Sequence, residues 1–411
     1  MSKDKIYIVN CGYDRTNYGA VLTAFALQYS LKNLFNFSSY NVDITPSLNK
    51  ALGIKSFGFD KFKSKFMKFT DKIENLRQLY SLNDDAKIFI TGSDQVFRIP
   101  FVNGIKNGYA QFFLDFAGTE SKKLAVAASF GITKERFLEE VDENTIEKIK
   151  HSLSTFDKIS VREKSGVEIC KDLFDLDATW VIDPVFWVDR SDYEKIAAES
   201  TNDYSDKIVS YFFHKGQNLS AEFDKVSQKY NSEIVQLHQS DLPIEEWLKA
   251  IQTCKLFITN SFHGMCFAII FNKPFICMIN SYSGNARNSS VLEKLQIEDN
   301  SITSFDEIYQ RDCIFKYDFE SVNKNIQLSK SQAIEFLKDA LECEHSLTVE
   351  KMEHYLWQAK NKILEQEEQL TLKNLLKSFI WKKWLHIYHY YLPEFMKKMI
   401  GTVYLWIKKE K

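Results

Sequence analysis

Ile6-Tyr7-Ile8-Val9-Asn10 is an apolar run of strand length, and Cys11-Gly12-Tyr13-Asp14-Arg15-Thr16-Asn17-Tyr18-Gly19 behind it is polar. From Tyr18 to about residue 32 the apolar side chains Val21, Leu22, Phe25, Ala26 and Tyr29 recur at helical spacing. Strand, loop and helix in that order make the first half of a Rossmann-like βα unit. Reading onward, residues 87–91, 123–129, 158–161 and 180–183 are expected as strands, and 135–154 and 164–173 as helices. Residues 1–185 thus alternate β and α, which predicts a mostly parallel sheet. Residues 50–80 are rich in Lys and Phe without strand signals and read as an inserted helical or mobile excursion.

The pattern then restarts. Strands are expected at 207–213, 233–237, 256–259 and 274–279, and helices at 220–230, 243–253 and 265–271. The fold class is therefore α/β with two Rossmann-like domains, residues 1–185 and 186–330. Such a pair places a cleft between the domains, with ligands at the carboxyl ends of the strands. Residues 331–411 form a helical extension, with helices at 331–343 and 349–368.

Composition bounds the function. The 411 residues are 45% hydrophobic and 26% charged, which is globular rather than disordered or fibrous. Lys and Arg number 53 against 55 Asp and Glu, so no global polyanion-binding surface is expected and nucleic acid is not a predicted partner. The cysteines at 11, 170, 254, 266, 277, 313 and 343 are scattered and never in CxxC spacing, which fits reduced thiols and no zinc site. No HExxH, P-loop, GxSxG or carboxylate-rich metal spacing occurs, and no metal is expected. The N-terminus lacks a signal peptide's apolar stretch, and no apolar run approaches the ~20 residues that span a bilayer, so a cytoplasmic chain is expected.

The tail differs from the body. Residues 371–411 hold nine Lys and two Glu, a charge of +7 that leaves −9 on the rest of the chain. Leu372, Leu375, Leu376, Phe379, Trp384, Ile387, Tyr388 and Tyr391 recur at helical spacing, and Trp381, Trp384 and Trp406 are three of only 7 Trp. A basic, Trp-bearing amphipathic helix suits the headgroup region of an anionic leaflet. A peripheral position on the inner face of the cytoplasmic membrane is the expectation, with packing on the body or a second subunit as the alternative.

Five clusters carry candidate chemistry. Thr259-Asn260-Ser261-Phe262-His263-Gly264 lies at a strand-to-helix junction, where free N–H groups and a positive dipole end favour anions and His263 can bind or protonate one. Ser160-Val161-Arg162-Glu163 ends another strand; Arg162 could fork onto a phosphate or carboxylate, or pair with Glu163 or Asp183. In Thr91-Gly92-Ser93-Asp94-Gln95, Asp94 could be a general base on a sugar hydroxyl or merely cap a turn. Asn17-Tyr18-Gly19 opens a helix that could take an anion or a sugar hydroxyl, with Arg15 nearby, or simply be capped there. Ser283-Gly284-Asn285-Ala286-Arg287-Asn288 reads as a polar loop before a helix around 290–295; Arg287 is a second candidate clamp or a surface residue. These residues alone specify a two-domain α/β enzyme binding an anionic ligand in a cleft.

Asn17-Tyr18-Gly19-Ala20-Val21-Leu22, Gly92-Ser93-Asp94-Gln95-Val96-Phe97, Ser129-Phe130-Gly131, Ser160-Val161-Arg162-Glu163, Asp183-Pro184-Val185 and Thr259 to Gly264 follow one another in the order of the polysaccharide pyruvyl transferase family, which the sequence resembles from about residue 6 to 300. The resemblance implies a fold similar to GT-B glycosyltransferases. It implies transfer of a pyruvyl group from phosphoenolpyruvate to two hydroxyls of a sugar in a polysaccharide precursor, forming a cyclic ketal without a cofactor. Arg162 and His263 match the family's arginine and histidine positions; with them, His263, Asp94 and Arg162 are the expected catalytic residues, Arg162, His263, Ser261, Gly264 and Arg287 the expected donor site, and Asn17, Gly19, Asp94 and Gln95 the expected acceptor site. Many members carry Arg two residues before the motif His; here that residue is Ser261, and Arg287 or Arg15 is expected to supply the charge. The acceptor is expected to be lipid-linked or nucleotide-linked. The alternatives are a GT-B-type glycosyltransferase using a nucleotide sugar and a non-catalytic partner in glycan assembly.

Overall fold

The computed structural model describes residues 4–368 except 13, 15, 45–58, 106, 213–218, 239–241, 280–284 and 311–317. Arg15, Ser283, Gly284 and the basic tail at 371–411 lie outside the described residues.

The first sheet holds β1 (Lys5–Val9), β2 (Ser39–Asn41), β3 (Ala86–Thr91), β4 (Lys122–Ala128), β5 (Lys158–Val161) and β6 (Thr179–Trp180), in the order β2-β1-β3-β4-β5-β6. The second holds β7 (Ile208–Tyr211), β8 (Ile234–Leu237), β9 (Leu256–Thr259), β10 (Phe275–Met278) and β11 (Ser301–Ile302), in the order β11-β10-β9-β7-β8. Every pairing in both is parallel. Strands covered on both faces read as continuous apolar runs, as Leu256-Phe257-Ile258 does. Both sheets wind the same way, so each has one point where the strand order reverses: between β1 and β3 in the first, between β7 and β9 in the second. Ligands of open α/β sheets bind outside the strand ends at such points.

The helices that matter to the site and its support are α1 (Tyr18–Phe35), α2 (Glu143–Leu153), α3 (Lys164–Phe174), α4 (Ile244–Thr253), α5 (Phe262–Ile270), α6 (Asn285–Leu295), α7 (Phe319–Glu342) and α8 (Val349–Glu368). α7 leaves the second sheet and crosses back to the first. Lys122 on β4 meets its end, donating to the carbonyls of Ala340 (3.2 Å), Leu341 (2.8 Å) and Cys343, orphan acceptors of the last turn. α8 then lies on α2, with Trp357 stacked 3.8 Å from the His151 ring and Lys351 2.6 Å from Asp157.

Local expectations need correction where side chains redirect the backbone. The helix expected over 135–154 is two, Lys134–Glu140 and α2, because the Asp142 carboxylate takes the Thr145 N–H (3.0 Å) and starts a new helix. The strand expected to reach 183 stops at Trp180; the Asp183 carboxylate instead accepts the Val185 N–H (3.0 Å) and caps a short turn at Pro184–Phe186. α7 begins at Phe319 rather than 331, where Asp318 caps it through Ser321 (3.1 Å). The described part of the 50–80 excursion is helical at Phe59–Phe66 and Leu76–Ser81, as expected, and is anchored to the core by a few apolar side chains while much of it is exposed. The helix Phe59–Phe66 buries Phe59 against Tyr18 and Phe62 against Phe25, at 5.0 and 5.4 Å between ring centroids.

Candidate active site between the two sheets

Four strand ends converge on Arg162. It follows β5 and is 1% exposed, a guanidinium that must be paired to be stable there. Nη1 donates to Asp183 Oδ2 at 2.7 Å and Nη2 to Asp94 Oδ1 at 2.8 Å. Asp94 follows β3 with φ 87° and a bridge to Ala128, which aims its carboxylate inward. Asp183 adds Thr23 of α1 at 2.9 Å, whose hydroxyl also meets Ser93. His263 arrives from the second domain: its Nε2 is 3.5 Å from Arg162 Nη1 and 3.7 Å from Asp183 Oδ2.

The His263 ring is seated by an absence. Its Nδ1 faces Gly19 in the first turn of α1, where a Cβ would fall 2.0 Å from that nitrogen. The N-termini of α1 and α5 therefore meet across the interface with the imidazole between them. Each helix start carries partial positive charge and unpaired N–H groups. α5 begins at Phe262, so His263 lies inside its first turn rather than ahead of it as expected, and Ser261 is the cap, accepting the Gly264 N–H at 3.2 Å.

Arg287 completes the cluster. The loop expected there is helix from Asn285, which places Arg287 in the first turn of α6. Its Cζ lies 5.4 Å from the Phe262 ring and its Nε is buried without a partner. Burial, then the Arg162 charge, lowers its pKa to about 10. Burial pushes the Asp94 carboxyl up, but Arg162, His263 and Arg287 outweigh it and hold the group below the usual carboxylate range. At Asp183 the same opposition, burial against the His263 and Arg162 contacts, leaves the carboxyl far below that range. Glu163 is raised by burial; its Oε1 accepts the N–H groups of Phe130 (2.6 Å) and Gly131 (3.0 Å), fixing the loop after β4.

His263, Asp94 and Arg162 thus meet, and Arg287 is beside them. The remaining expected residues have structural seats. Asn17 caps α1 through the Ala20 N–H (3.2 Å), and Gln95 covers Gly131, where a Cβ would lie 2.3 Å from its Oε1. Arg162 does not stand open as a fork, since both of its amino groups are taken by carboxylates. The sequence offered Asp183 as a partner of Arg162 and as part of a family motif, and placed Ser93 and Phe262 inside candidate clusters without a role of their own; Thr23 it did not single out. Asp183 ahead of Pro184 carried a signal; Thr23, inside an apolar helix face, carried none.

Residues 17–282 match the polysaccharide pyruvyl transferase family. The chain belongs to that family. Among solved structures it is similar to the S. aureus MnaA–UDP complex, with TM-score 0.51 and 12% identity over 85% of this chain and 99% of that one. It is also similar to UDP-N-acetylglucosamine 2-epimerase from Rickettsia bellii, with TM-score 0.51 and 9% identity over 82% and 97%. At these identities the likeness is one of fold, and it gives this pyruvyl transferase family member a GT-B-type arrangement of its two parallel sheets. Among curated proteins none matches.

Proposed function

We propose that the chain moves the pyruvyl group of phosphoenolpyruvate onto two hydroxyls of one sugar, closing a cyclic ketal and releasing phosphate. The observation that carries this reading is the His263 seat. An imidazole lies between two helix N-termini, against a buried Arg162–Asp94–Asp183 cluster and near Arg287, which has no ion-pair partner among the described residues, in a chain of this family. A donor with a phosphate and a carboxylate calls for positive charge, which Arg287 and the two helix starts offer once Arg162 is matched by its carboxylates.

The chemistry balances as two additions. A proton delivered to the methylene carbon of phosphoenolpyruvate makes the neighbouring carbon oxocarbenium-like. One sugar hydroxyl attacks that carbon and loses its proton; phosphate then leaves, and the second hydroxyl closes the ketal and loses its own proton. His263 serves as general acid or phosphate ligand, and the ionised Asp94 as the acceptor of a hydroxyl proton. Arg162 holds Asp94 and Asp183 in place, and Arg287 with the two helix starts stabilises donor charge. Among the described residues no helix is long and apolar enough to cross a membrane. The basic tail supports a lipid-linked acceptor presented at an anionic bilayer surface, with a nucleotide-linked sugar as the soluble alternative.

Phosphate release and thermal shift with phosphoenolpyruvate, with and without a lipid-linked oligosaccharide pool, test the reading. A ligand of the folded state raises the melting temperature by mass action. Stabilisation by phosphoenolpyruvate, acceptor-dependent phosphate release and a loss of about 100-fold or more in His263→Asn are expected. Silence towards phosphoenolpyruvate with stabilisation by a nucleotide sugar moves the assignment to glycosyl transfer.

A further inference from the structure

Phe262 carries no polar atom, yet its ring meets three groups of the site. The Arg162 Cζ lies 4.6 Å from the ring centroid and the Arg287 Cζ 5.4 Å. The His263 ring meets it edge-on at 4.9 Å and 80°. Phe262 is 4% exposed and Arg162 1%, whereas Arg287 is half-buried with its Nε enclosed; an aromatic face attracts a cation most strongly where water is excluded.

Two guanidinium groups beside one ring repel each other, and they are not held alike. Arg162 is fixed by two carboxylates at 2.7 and 2.8 Å. Arg287 makes no hydrogen bond or ion pair among the described residues, and its Nε is buried without a partner. Asp94 and Glu163 act on it through space, not by contact. The ring face is the short-range attraction that places it.

We propose that Phe262 is a positioning residue for the donor: its ring holds the unpaired Arg287 guanidinium beside Arg162 and His263, so that one cation stays open to an anionic substrate. This rests on the pyruvyl-transfer reading and narrows it to a division of labour. Arg162 neutralises buried carboxylates, and Arg287 meets the donor. A carboxylate partner for Arg287 would fix it equally well but would cancel the charge the donor needs. An aromatic face fixes it and leaves the charge uncancelled.

The test uses the full chain with Phe262→Leu, Phe262→Tyr, Arg287→Ala and the Phe262→Leu/Arg287→Ala pair. Leu keeps most of the apolar volume and lacks the ring quadrupole; Tyr keeps the ring. Phe262→Leu is expected to raise KM for phosphoenolpyruvate about 10-fold, the scale of one buried cation–π contact, with acceptor KM changed less than about twofold. Phe262→Tyr returns phosphoenolpyruvate KM to within about twofold of wild type, and the double variant is little worse than Arg287→Ala alone, because contacting residues are non-additive. Should the two substitutions instead add independently, or Tyr fail to rescue, or both KM values rise alike while the melting temperature falls, Phe262 is core packing and the proposal is overturned. A wild-type chain that ignores phosphoenolpyruvate sinks the pyruvyl reading itself, and the donor role of Phe262 with it. A wild type that binds it while all ring variants bind equally well sinks only the role of Phe262.

Discussion

Gly19 shows what a single residue decides in this molecule. Its place in Asn17-Tyr18-Gly19 reads from sequence as an anion-binding or capped helix start, and the capping half is what Asn17 does. The reason for glycine lies 244 positions away, in the His263 ring that would meet a Cβ at 2.0 Å. No local signal can carry that. His263 cannot retreat, since Arg162 and Asp183 stand behind its Nε2 at 3.5 and 3.7 Å. Gly19→Ala should therefore displace the imidazole, lowering phosphate release by about 100-fold at an overpacking cost of about 1–3 kcal/mol. Paired activity and chemical-unfolding measurements check this, and a fully active Ala variant would place His263 outside the chemistry. Asp183 carries a different load. As a carboxylate with a depressed pKa, it contributes stability that is present above the unfolded-state value of about 3.9 and is lost as pH falls towards the folded one. Asp183→Asn should destabilise by about 3–5 kcal/mol, the usual consequence of removing one partner of a buried pair, and should flatten the acid limb of the stability profile.

Elements were legible where their own periodicity suffices and illegible where a distant partner decides. α8 is found at Val349–Glu368, as its apolar spacing indicates, and β9 at Leu256–Thr259. β2 was not foreseen, because Ser39-Tyr40-Asn41 has no strand pattern of its own and is held by β1 on one side and an Asn41–Phe69 bridge on the other. How α8 docks was also hidden, and it carries a pH dependence. His151 of α2 and His354 of α8 share a 2.7 Å Nδ1–Nδ1 contact that accommodates one proton, not two. Burial and then His354 lower the His151 pKa; burial lowers that of His354. Glu147 and Lys150 face the pair from α2, and Glu350 and Glu353 from α8, with the two Lys150 effects unfavourable to charge and the Glu effects favourable. Groups with lowered basic pKa support docking fully above their free value of about 6.5 and lose that support as pH falls below it. His345 runs the other way: its hydrogen bond to Asp157 raises it, so its support is complete in acid and fades as pH rises through its docked value. It sits before the start of α8, beside the Lys351–Asp157 pair, and keeps that end pinned. Lowering pH from 8 to 5.5 should therefore loosen the part of α8 beyond His354. Hydrogen exchange across 349–368, corrected for intrinsic rate, should show several-fold lost protection. The difference should shrink in His354→Phe, and equal protection at both pH values would refute the pair's role.

At the scale of the whole molecule, the repeated β-α alternation made two parallel sheets readable, whereas the way they join was not. The junction is built by residues far apart in the chain. The Tyr18 hydroxyl donates to the Leu242 carbonyl (2.8 Å) and accepts its N–H (2.9 Å), and the Tyr18 ring stacks on Trp247 at 4.9 Å. Tyr211 and Phe267 meet the same indole edge-on at 5.6 Å. One apolar cluster consequently runs from Ile6 and Ile8 of β1 through α1 to Trp247, Phe257 and Phe267 of the second domain and on to Leu337 of α7. Domains joined by a polar, wet interface unfold separately; domains that share a core lose it together. Calorimetry of the full chain should therefore show one transition with calorimetric and van't Hoff enthalpies in agreement, despite the two sheets. Trp247→Ala deletes the indole at the centre of the junction and should cost about 3–5 kcal/mol, the range for a buried aromatic truncated to alanine. Because the cluster is shared, that loss should lower the midpoint of the whole transition. If Trp247→Ala instead splits the melt, leaving one half at the wild-type temperature, the two sheets are energetically independent. The His263 seat would then be a contact between autonomous domains rather than part of a common core.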